Sequence, residues 1–257
     1  MDLSTYIILT FLLGIVPPLF WLWFWLREDA HPEPKNEVII VFLAGMGAVV
    51  LALVLEGNFF TINNISRSLF GYSADTMLFI NVFGFALIEE FLKMGAAFFT
   101  ALRSKYFDEP VDAMVYMVTA ALGFASLENV LFIAGSLKDG VPQSVIISSF
   151  RFINAVLLHI SASAIIGSAF AFSFFHKERR IKEIFFGLIA ATVLHALYNF
   201  FIIGNIMAFG LMWTQFGATL LVTLGAFIAL ILFERARRTS LADSSRTSIA
   251  RQAQEML

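Results

Sequence analysis

The chain has 257 residues, of which 59% are hydrophobic and only 14% are charged. Soluble domains carry about 25% charged residues, so this composition excludes a soluble globular protein and indicates an integral membrane protein. The formal net charge of −2 gives no reason to expect a nucleic-acid partner, and the absence of cysteine excludes disulfides, thiolate catalysis and cysteine metal ligands.

Seven apolar segments are long enough to cross a bilayer as helices, since a span needs about 20 mostly apolar residues. The boundary between the last two segments, near Gly204 and Asn205, is the least sharply marked. We therefore predict an all-α fold, a polytopic membrane helix bundle with about seven transmembrane helices. In chain order the segments are 5–26, 38–56, 76–101, 112–135, 144–175, 182–204 and 207–233.

The basic residues outside these segments are distributed very unequally between the two sides of the membrane. Thirteen lie on one side, in 27–37, 102–111, 176–182 and the C-terminal segment, and only Arg67 and Lys138 lie on the other. Because cytoplasmic loops are enriched in Lys and Arg, this predicts an outside N-terminus, a cytoplasmic C-terminus and an odd number of spans.

The predicted spans form a single membrane domain over residues 1–233, with the catalytic core at about 76–204. After residue 233 the apolar pattern is lost and Arg, Ser and Ala become frequent. Residues 234–257 are therefore predicted to be a cytoplasmic tail, either lying on the surface or disordered.

Several predicted spans carry ionisable groups, which are costly at bilayer depth and persist where they pair, meet water or act. At about 1.5 Å per residue, four of them lie about 17–24 Å from the predicted cytoplasmic ends of their helices. This common depth predicts one polar cavity inside the bundle. The four groups are Glu90, Glu128, His159 and His195.

The third span holds adjacent carboxylates, Glu89 and Glu90, with Lys93 on the same helix face. Lys93 can neutralise one of the two, and the other is then available as a general base. The residues do not indicate which carboxylate has which role. On the sixth span, His195 and Asn199 are four residues apart and can both face the cavity.

Each polar group also has a structural interpretation. Glu89 and Lys93 could form a buried ion pair, a single histidine could be an interior hydrogen-bonding group, and Arg151 could extend to the membrane surface. These interpretations do not account for the whole set at one depth.

The sequence also excludes several kinds of protease chemistry. No aspartate lies at mid-span, and neither does the one Gly-x-Ser motif, Gly71-Tyr72-Ser73. The zinc motif His-Glu-x-x-His is absent as well. Glutamate and histidine remain, and they can activate a water directly or through a bound metal ion.

Four blocks of residues, in order along the predicted helices, resemble those of the PrsW family of bacterial intramembrane proteases, which belongs with the CAAX-processing and Abi membrane proteases. Met94 and Glu128 stand where the CAAX-processing branch has arginine and histidine, which favours the PrsW branch. The blocks cover about residues 80–200: Glu89-Glu90-x-x-Lys93; Asp112-Ala-Met-Val-Tyr116 with Leu122-Gly-Phe-Ala-Ser-Leu-Glu128-Asn129; Arg151 with Leu158-His159 and Gly167; and Leu194-His195-Ala-Leu-Tyr-Asn199.

The resemblance implies an intramembrane endopeptidase in a bacterial or archaeal plasma membrane. Its expected substrate is a single-span membrane protein of the anti-sigma-factor kind, cleaved near the extracytoplasmic side. The resemblance implies as catalytic residues Glu89, Glu90, Glu128, His159 and His195. The supporting residues are Lys93, Asn129, Asn199 and Arg151.

The resemblance leaves the cofactor open, since such enzymes are classed as metalloproteases while a metal-free glutamate mechanism is also argued for the wider group. Glu128, His159 and His195 are the candidate metal ligands, and zinc is the expected ion. A proton- or cation-coupled transporter could use the same mid-membrane groups, although no repeat symmetry supports one. A receptor or scaffold with a structural polar core is a third reading. The oligomeric state stays open.

Overall fold

A computed structural model describes residues 2–28, 31–204 and 211–255, and over these residues it contains helices and no strands. The predicted all-α fold is therefore confirmed. A short 3₁₀ turn, Leu137–Asp139, connects the fourth and fifth helices, and a π-helical turn, Phe200–Gly204, extends the sixth. The helices are α1 Leu3–Arg27, α2 Lys35–Phe70, α3 Ala74–Thr100, α4 Pro110–Ser136, α5 Val141–Phe172, α6 Arg180–Asn199 and α7 Leu211–Glu255.

Within the described residues, six helices are long and apolar enough to cross a membrane, which makes the chain a multi-span membrane protein. The remaining predicted span, 76–101, the third in chain order, corresponds to α3, which has 27 residues but carries Glu89, Glu90 and Lys93 and is not among the six. The number of seven spans and the orientation of the termini stay predictions. The predicted boundary near Gly204 and Asn205 extends beyond the described residues.

The second helix is much longer than the apolar segment that predicted it. The sequence predicts a span over 38–56, whereas α2 runs for 36 residues, to Phe70. Polar residues after Glu56 end the apolar run but do not break a helix, so the helix continues to Gly71, whose φ of 70° forms its left-handed cap.

The last helix continues through the segment predicted to be a tail. Its backbone is helical to Glu255, and Ala236 and Ser240 are buried. The Ser240 hydroxyl accepts a hydrogen bond of 3.2 Å from the Val111 N–H, which joins this segment to the first turn of α4. The location of 234–257 at the cytoplasmic surface stays a prediction.

Helix α4 lies at the centre of the bundle, and its residues 110–126 are all buried. It packs against α1, α2 and α5, as a helix that is apolar on every side must. At its crossing with α2, a Cβ on Gly123 would lie 2.0 Å from the Phe42 carbonyl oxygen, and one on Gly45 would lie 2.1 Å from that of Ala120. Only glycine permits this approach, which brings the Glu128 end of α4 close to α2.

Candidate active site

Four helices contribute ionisable side chains to one buried cluster. Glu90, Lys93, His159 and His195 are each no more than 2% exposed. All five predicted catalytic residues and Lys93 lie in this cluster, so the common depth estimated from the sequence corresponds to a common location. The members are Glu89, Glu90 and Lys93 on α3, Glu128 on α4, His159 on α5 and His195 on α6.

The ammonium group of Lys93 lies at the centre of the cluster. Its Nζ is 2.6 Å from Glu90 Oε1, 2.8 Å from His159 Nδ1 and 3.5 Å from Glu89 Oε2. It also lies 4.7 Å from the centre of the Phe124 ring, a favourable cation–π position. Lys93 is therefore paired more closely with Glu90 than with Glu89. Helical spacing alone did not predict which of the two carboxylates it would contact.

The orientation of the His195 ring follows from its contact with Glu90. His195 Nδ1 is 2.7 Å from Glu90 Oε1, and a carboxylate only accepts hydrogen bonds, so Nδ1 carries the hydrogen. The other ring nitrogen, Nε2, then faces Glu89 Oε2 at 3.8 Å. This separation is too long for a direct hydrogen bond.

The other half of the cluster connects His159 to Arg151. Glu128 Oε2 accepts from Arg151 Nη2 at 2.6 Å and lies 3.0 Å from His159 Nε2. Arg151 Nε donates to Asn129 Oδ1 at 2.5 Å. Arg151 therefore belongs to the buried network and does not simply extend to the membrane surface. A continuous set of polar contacts runs from Asn129 through Lys93 to His195.

Glu89 shares Lys93 with Glu90 and is the more distant of the two, since Lys93 Nζ is 3.5 Å from Glu89 Oε2 and 2.6 Å from Glu90 Oε1. Lys93 pairs with Glu90 and Arg151 pairs with Glu128, whereas Glu89 Oε2 is shielded and accepts no hydrogen bond. Glu89 also lines a cavity of about 680 Å³, which Glu90 does not reach. Of the two adjacent carboxylates, Glu89 is thus the one that faces the space in which a substrate can bind.

Asn199 and Glu56 are among the further polar residues that line this cavity. Asn199, the last residue of α6 before the π-helical turn, lines it as the sequence predicts. Such turns are frequent at functional sites. Glu56 on α2 also lines the cavity and was missed. It could have been found as the sole carboxylate of the second predicted span. However, it is the last residue of that span, where an acidic residue is normally interpreted as lying at the membrane surface.

The fit of a metal ion can be judged from the lone pairs. Glu89, His159 and His195 have ligand atoms within 4.8 Å of one another, and one carboxylate with two imidazoles is a donor set that zinc accepts. Glu89 takes the place in this group that the sequence predicted for Glu128, whose Oε2 instead contacts Arg151 and His159.

The hydrogen bonds of His159 are not compatible with a metal ion bound by Glu89, His159 and His195. An ammonium group can only donate, so His159 Nδ1 accepts from Lys93 and Nε2 carries the hydrogen that faces Glu128. Neither nitrogen keeps a lone pair for an ion. Only Glu89 and His195 then offer a free ligand atom, and the arrangement does not fit a three-ligand metal centre.

Comparisons with known proteins agree on one family. A family model described as PrsW family intramembrane metalloprotease matches residues 33–233. A protein named Protease PrsW from Oceanobacillus iheyensis is 28% identical over 228 residues, which cover 89% of this chain and 96% of the relative. Proteins of the same name from Geobacillus kaustophilus and Clostridioides difficile are also 28% identical, over 193 and 200 residues. These cover 75% and 74% of this chain and 79% and 77% of the relatives. No solved structure gives a significant match.

Proposed function

Since the chain belongs to the PrsW family of intramembrane proteases, we propose that it hydrolyses a peptide bond of a single-span membrane protein near the extracytoplasmic side of a bacterial plasma membrane. The expected substrate is of the anti-sigma-factor kind. Membership of a protease family favours hydrolysis over the transporter alternative, and the described residues offer no observation that favours transport. The proposal rests chiefly on Glu89, a buried carboxylate that lines the cavity and whose Oε2 accepts no hydrogen bond.

Glu89 is the general base of the proposed reaction. A carboxylate hydrogen-bonded to an ammonium group, as Glu90 is at 2.6 Å, is a weaker proton acceptor than one 3.5 Å away, as Glu89 is. A water molecule placed between Glu89 Oε2 and His195 Nε2, which are 3.8 Å apart, can donate one hydrogen to each. Both lone pairs of the water oxygen are then free, and one of them can attack a carbonyl carbon in the cavity.

Glu89 alone can accept the proton that the water loses and later return it to the leaving group. The water oxygen forms a bond to the carbonyl carbon while Glu89 takes one water proton. The negative charge develops on the former carbonyl oxygen, where the Asn199 amide on the cavity wall and the buried Lys93 ammonium, 3.5 Å from Glu89 Oε2, are candidate donors. The C–N bond then breaks, and the leaving amine nitrogen receives the proton from Glu89.

Glu90 and the Glu128 group position these reacting groups. Glu90 Oε1 holds both the Lys93 ammonium and the His195 N–H. His159 holds Lys93 from the other side and is itself held by Glu128 and Arg151. A base, a histidine and an oxyanion donor oriented by buried partners need little rearrangement during the reaction. No metal ion enters this mechanism, because His159 has no free lone pair.

The direction of the cavity supports cleavage near the extracytoplasmic side. The cavity extends from Glu89 past Gly135 to Asp139 and Ile203, toward one end of the bundle. The distribution of Lys and Arg predicts that this end faces outward. A substrate that enters there meets Glu89 after only part of its span has unwound.

Reconstitution of the purified protein in proteoliposomes with a candidate single-span substrate tests the proposal. We expect two products, with the new N-terminus mapped by mass spectrometry to the extracytoplasmic part of the span. Absence of cleavage for a panel of such substrates, together with proton or cation flux into the vesicles, would establish the transporter instead.

A further inference from the structure

Glu56 is a carboxylate on the cavity wall that the proposed mechanism does not use. It lies on α2, and it lines the same cavity as Glu89 and Glu128. Its Oε1 is fully shielded and accepts no hydrogen bond, and within the described part of the chain Glu56 forms no ion pair. Helix α2 contributes none of the residues that the sequence predicts for the site.

The surroundings of Glu56 do not explain it as a structural residue. The cavity wall includes apolar residues on both helices, with Val49 and Leu53 on α2 and Phe132 on α4, and none of its polar residues hydrogen-bonds to the shielded Glu56 Oε1. A shielded acceptor without a donor lowers the stability of the folded state, because it has lost water and gained no partner. A leucine at this position would avoid that loss, so the carboxylate does not help to hold α2 in place.

A peptide substrate in this cavity would supply the hydrogen-bond donor that Glu56 Oε1 lacks. A transmembrane substrate must unwind around the scissile bond, which removes the helical acceptors of its backbone N–H groups. In a cavity with apolar walls these N–H groups need another acceptor. Glu89 is engaged with water in the proposed mechanism and Glu128 with Arg151, whereas Glu56 has a shielded oxygen to which no group in the described residues hydrogen-bonds. A basic side chain is a rarer partner, since such residues are costly at bilayer depth.

We propose that the Glu56 carboxylate binds a backbone N–H of the unwound substrate segment beside the scissile bond, in the cavity that Glu89 also lines. Glu56 is then a substrate-binding residue rather than part of the acid–base chemistry. This inference rests on the proposed protease function and assigns a specific contact within the same cavity.

Steady-state kinetics of two variants, Glu56→Leu and Glu56→Gln, test the assignment. Loss of a hydrogen bond to a charged acceptor predicts a KM about tenfold higher for Glu56→Leu, with kcat unchanged within about twofold. Glu56→Gln keeps an acceptor oxygen, so its KM should rise by no more than about threefold. The same substitutions at Glu37, on the first turn of α2 and outside the cavity, serve as matched controls.

Two further measurements separate binding from structure and identify the donor. Thermal unfolding in detergent should show no loss of stability for Glu56→Leu, and substrates N-methylated at successive amides near the scissile bond should include one that raises KM for the wild type but not for Glu56→Leu. The proposal would be overturned if Glu56→Leu left KM unchanged. It would also be overturned if Glu56→Leu lowered the unfolding temperature instead of raising KM.

A Glu56→Gln variant as impaired as Glu56→Leu would also overturn it, by indicating a basic side chain as the partner. If the wild type cleaves normally, all these outcomes concern Glu56 alone. A wild type that cleaves nothing contradicts the protease function itself.

Discussion

Carboxylates are buried near both ends of helix α4, but their hydrogen bonding differs between the two ends. Near its start, Asp112 Oδ2 accepts hydrogen bonds from the backbone N–H groups of Asp108 and Glu109, at 3.0 and 2.7 Å. Tyr116 donates its hydroxyl hydrogen to Glu33, and His31 pairs with Glu109 at 2.9 Å. Near the other end, shielded oxygens of Glu56, Glu89 and Glu90 have no hydrogen-bond partner.

This contrast distinguishes a structural cluster from a reactive one. At the start of α4 the carboxylates cap a helix and join it to the segment before α2, so their interactions are complete within the protein. In the middle of the bundle, Glu56 and Glu89 line a cavity and each has an oxygen without a hydrogen-bond partner, whereas Glu90 does not line that cavity. Glu56 and Glu89 thus combine a shielded oxygen that has no hydrogen-bond partner with a position on the cavity wall.

The largest change that we expect comes from Glu90→Gln. This substitution leaves the buried Lys93 ammonium without its nearest anion, and removal of one partner from such a pair costs about 3–5 kcal/mol. The variant should unfold at a markedly lower temperature in detergent and should not cleave substrate. Glu37→Gln is the control, and a Glu90→Gln protein as stable as the wild type would show that the pair does not hold the cluster together.

A smaller effect, on stability alone, is expected from Asp112→Ala. The substitution removes the acceptor for two backbone N–H groups before α4, and loss of a cap costs about 1–2 kcal/mol. Turnover per folded molecule should remain within about twofold of the wild type, because the active site lies elsewhere on the helix. A large loss of kcat in a protein that remains folded would mean that the two ends of α4 are coupled.

The smallest effect is expected from removal of metal ions. Prolonged incubation with a strong chelator should change turnover by no more than about twofold, because the proposed mechanism uses no metal-bound water. Elemental analysis of the purified protein should find no stoichiometric zinc. Loss of activity that zinc restores would show that Lys93 leaves His159 and that an ion takes its place.

Much of the architecture could be predicted from the sequence, because lipid imposes simple rules. Apolar runs locate the helices, and the common depth of Glu90, Glu128, His159 and His195 anticipates the cluster that the structure forms. Helix ends were less predictable, since apolar length limits the span and not the helix. Helix α2 extends to Gly71 for this reason.

The details of the site depend on how the helices are rotated, which a linear sequence does not contain. Glu89 and Glu90 are both within helical reach of Lys93, and only packing brings Lys93 closer to Glu90. The position of His159 between Lys93 and Glu128 likewise requires three helices to be placed together. Glu56 was missed because its importance comes from the cavity it faces and not from its neighbours in sequence.

The central claim is that Glu89 is the catalytic base, while its neighbour Glu90 positions Lys93 and His195. The most direct test is the paired measurement of kcat and unfolding temperature for Glu89→Gln. Removal of a general base predicts a loss of kcat of about 10²–10⁴-fold. The unfolding temperature should stay close to that of the wild type, because Lys93 keeps Glu90. A Glu89→Gln protein that cleaves at the wild-type rate would contradict the claim.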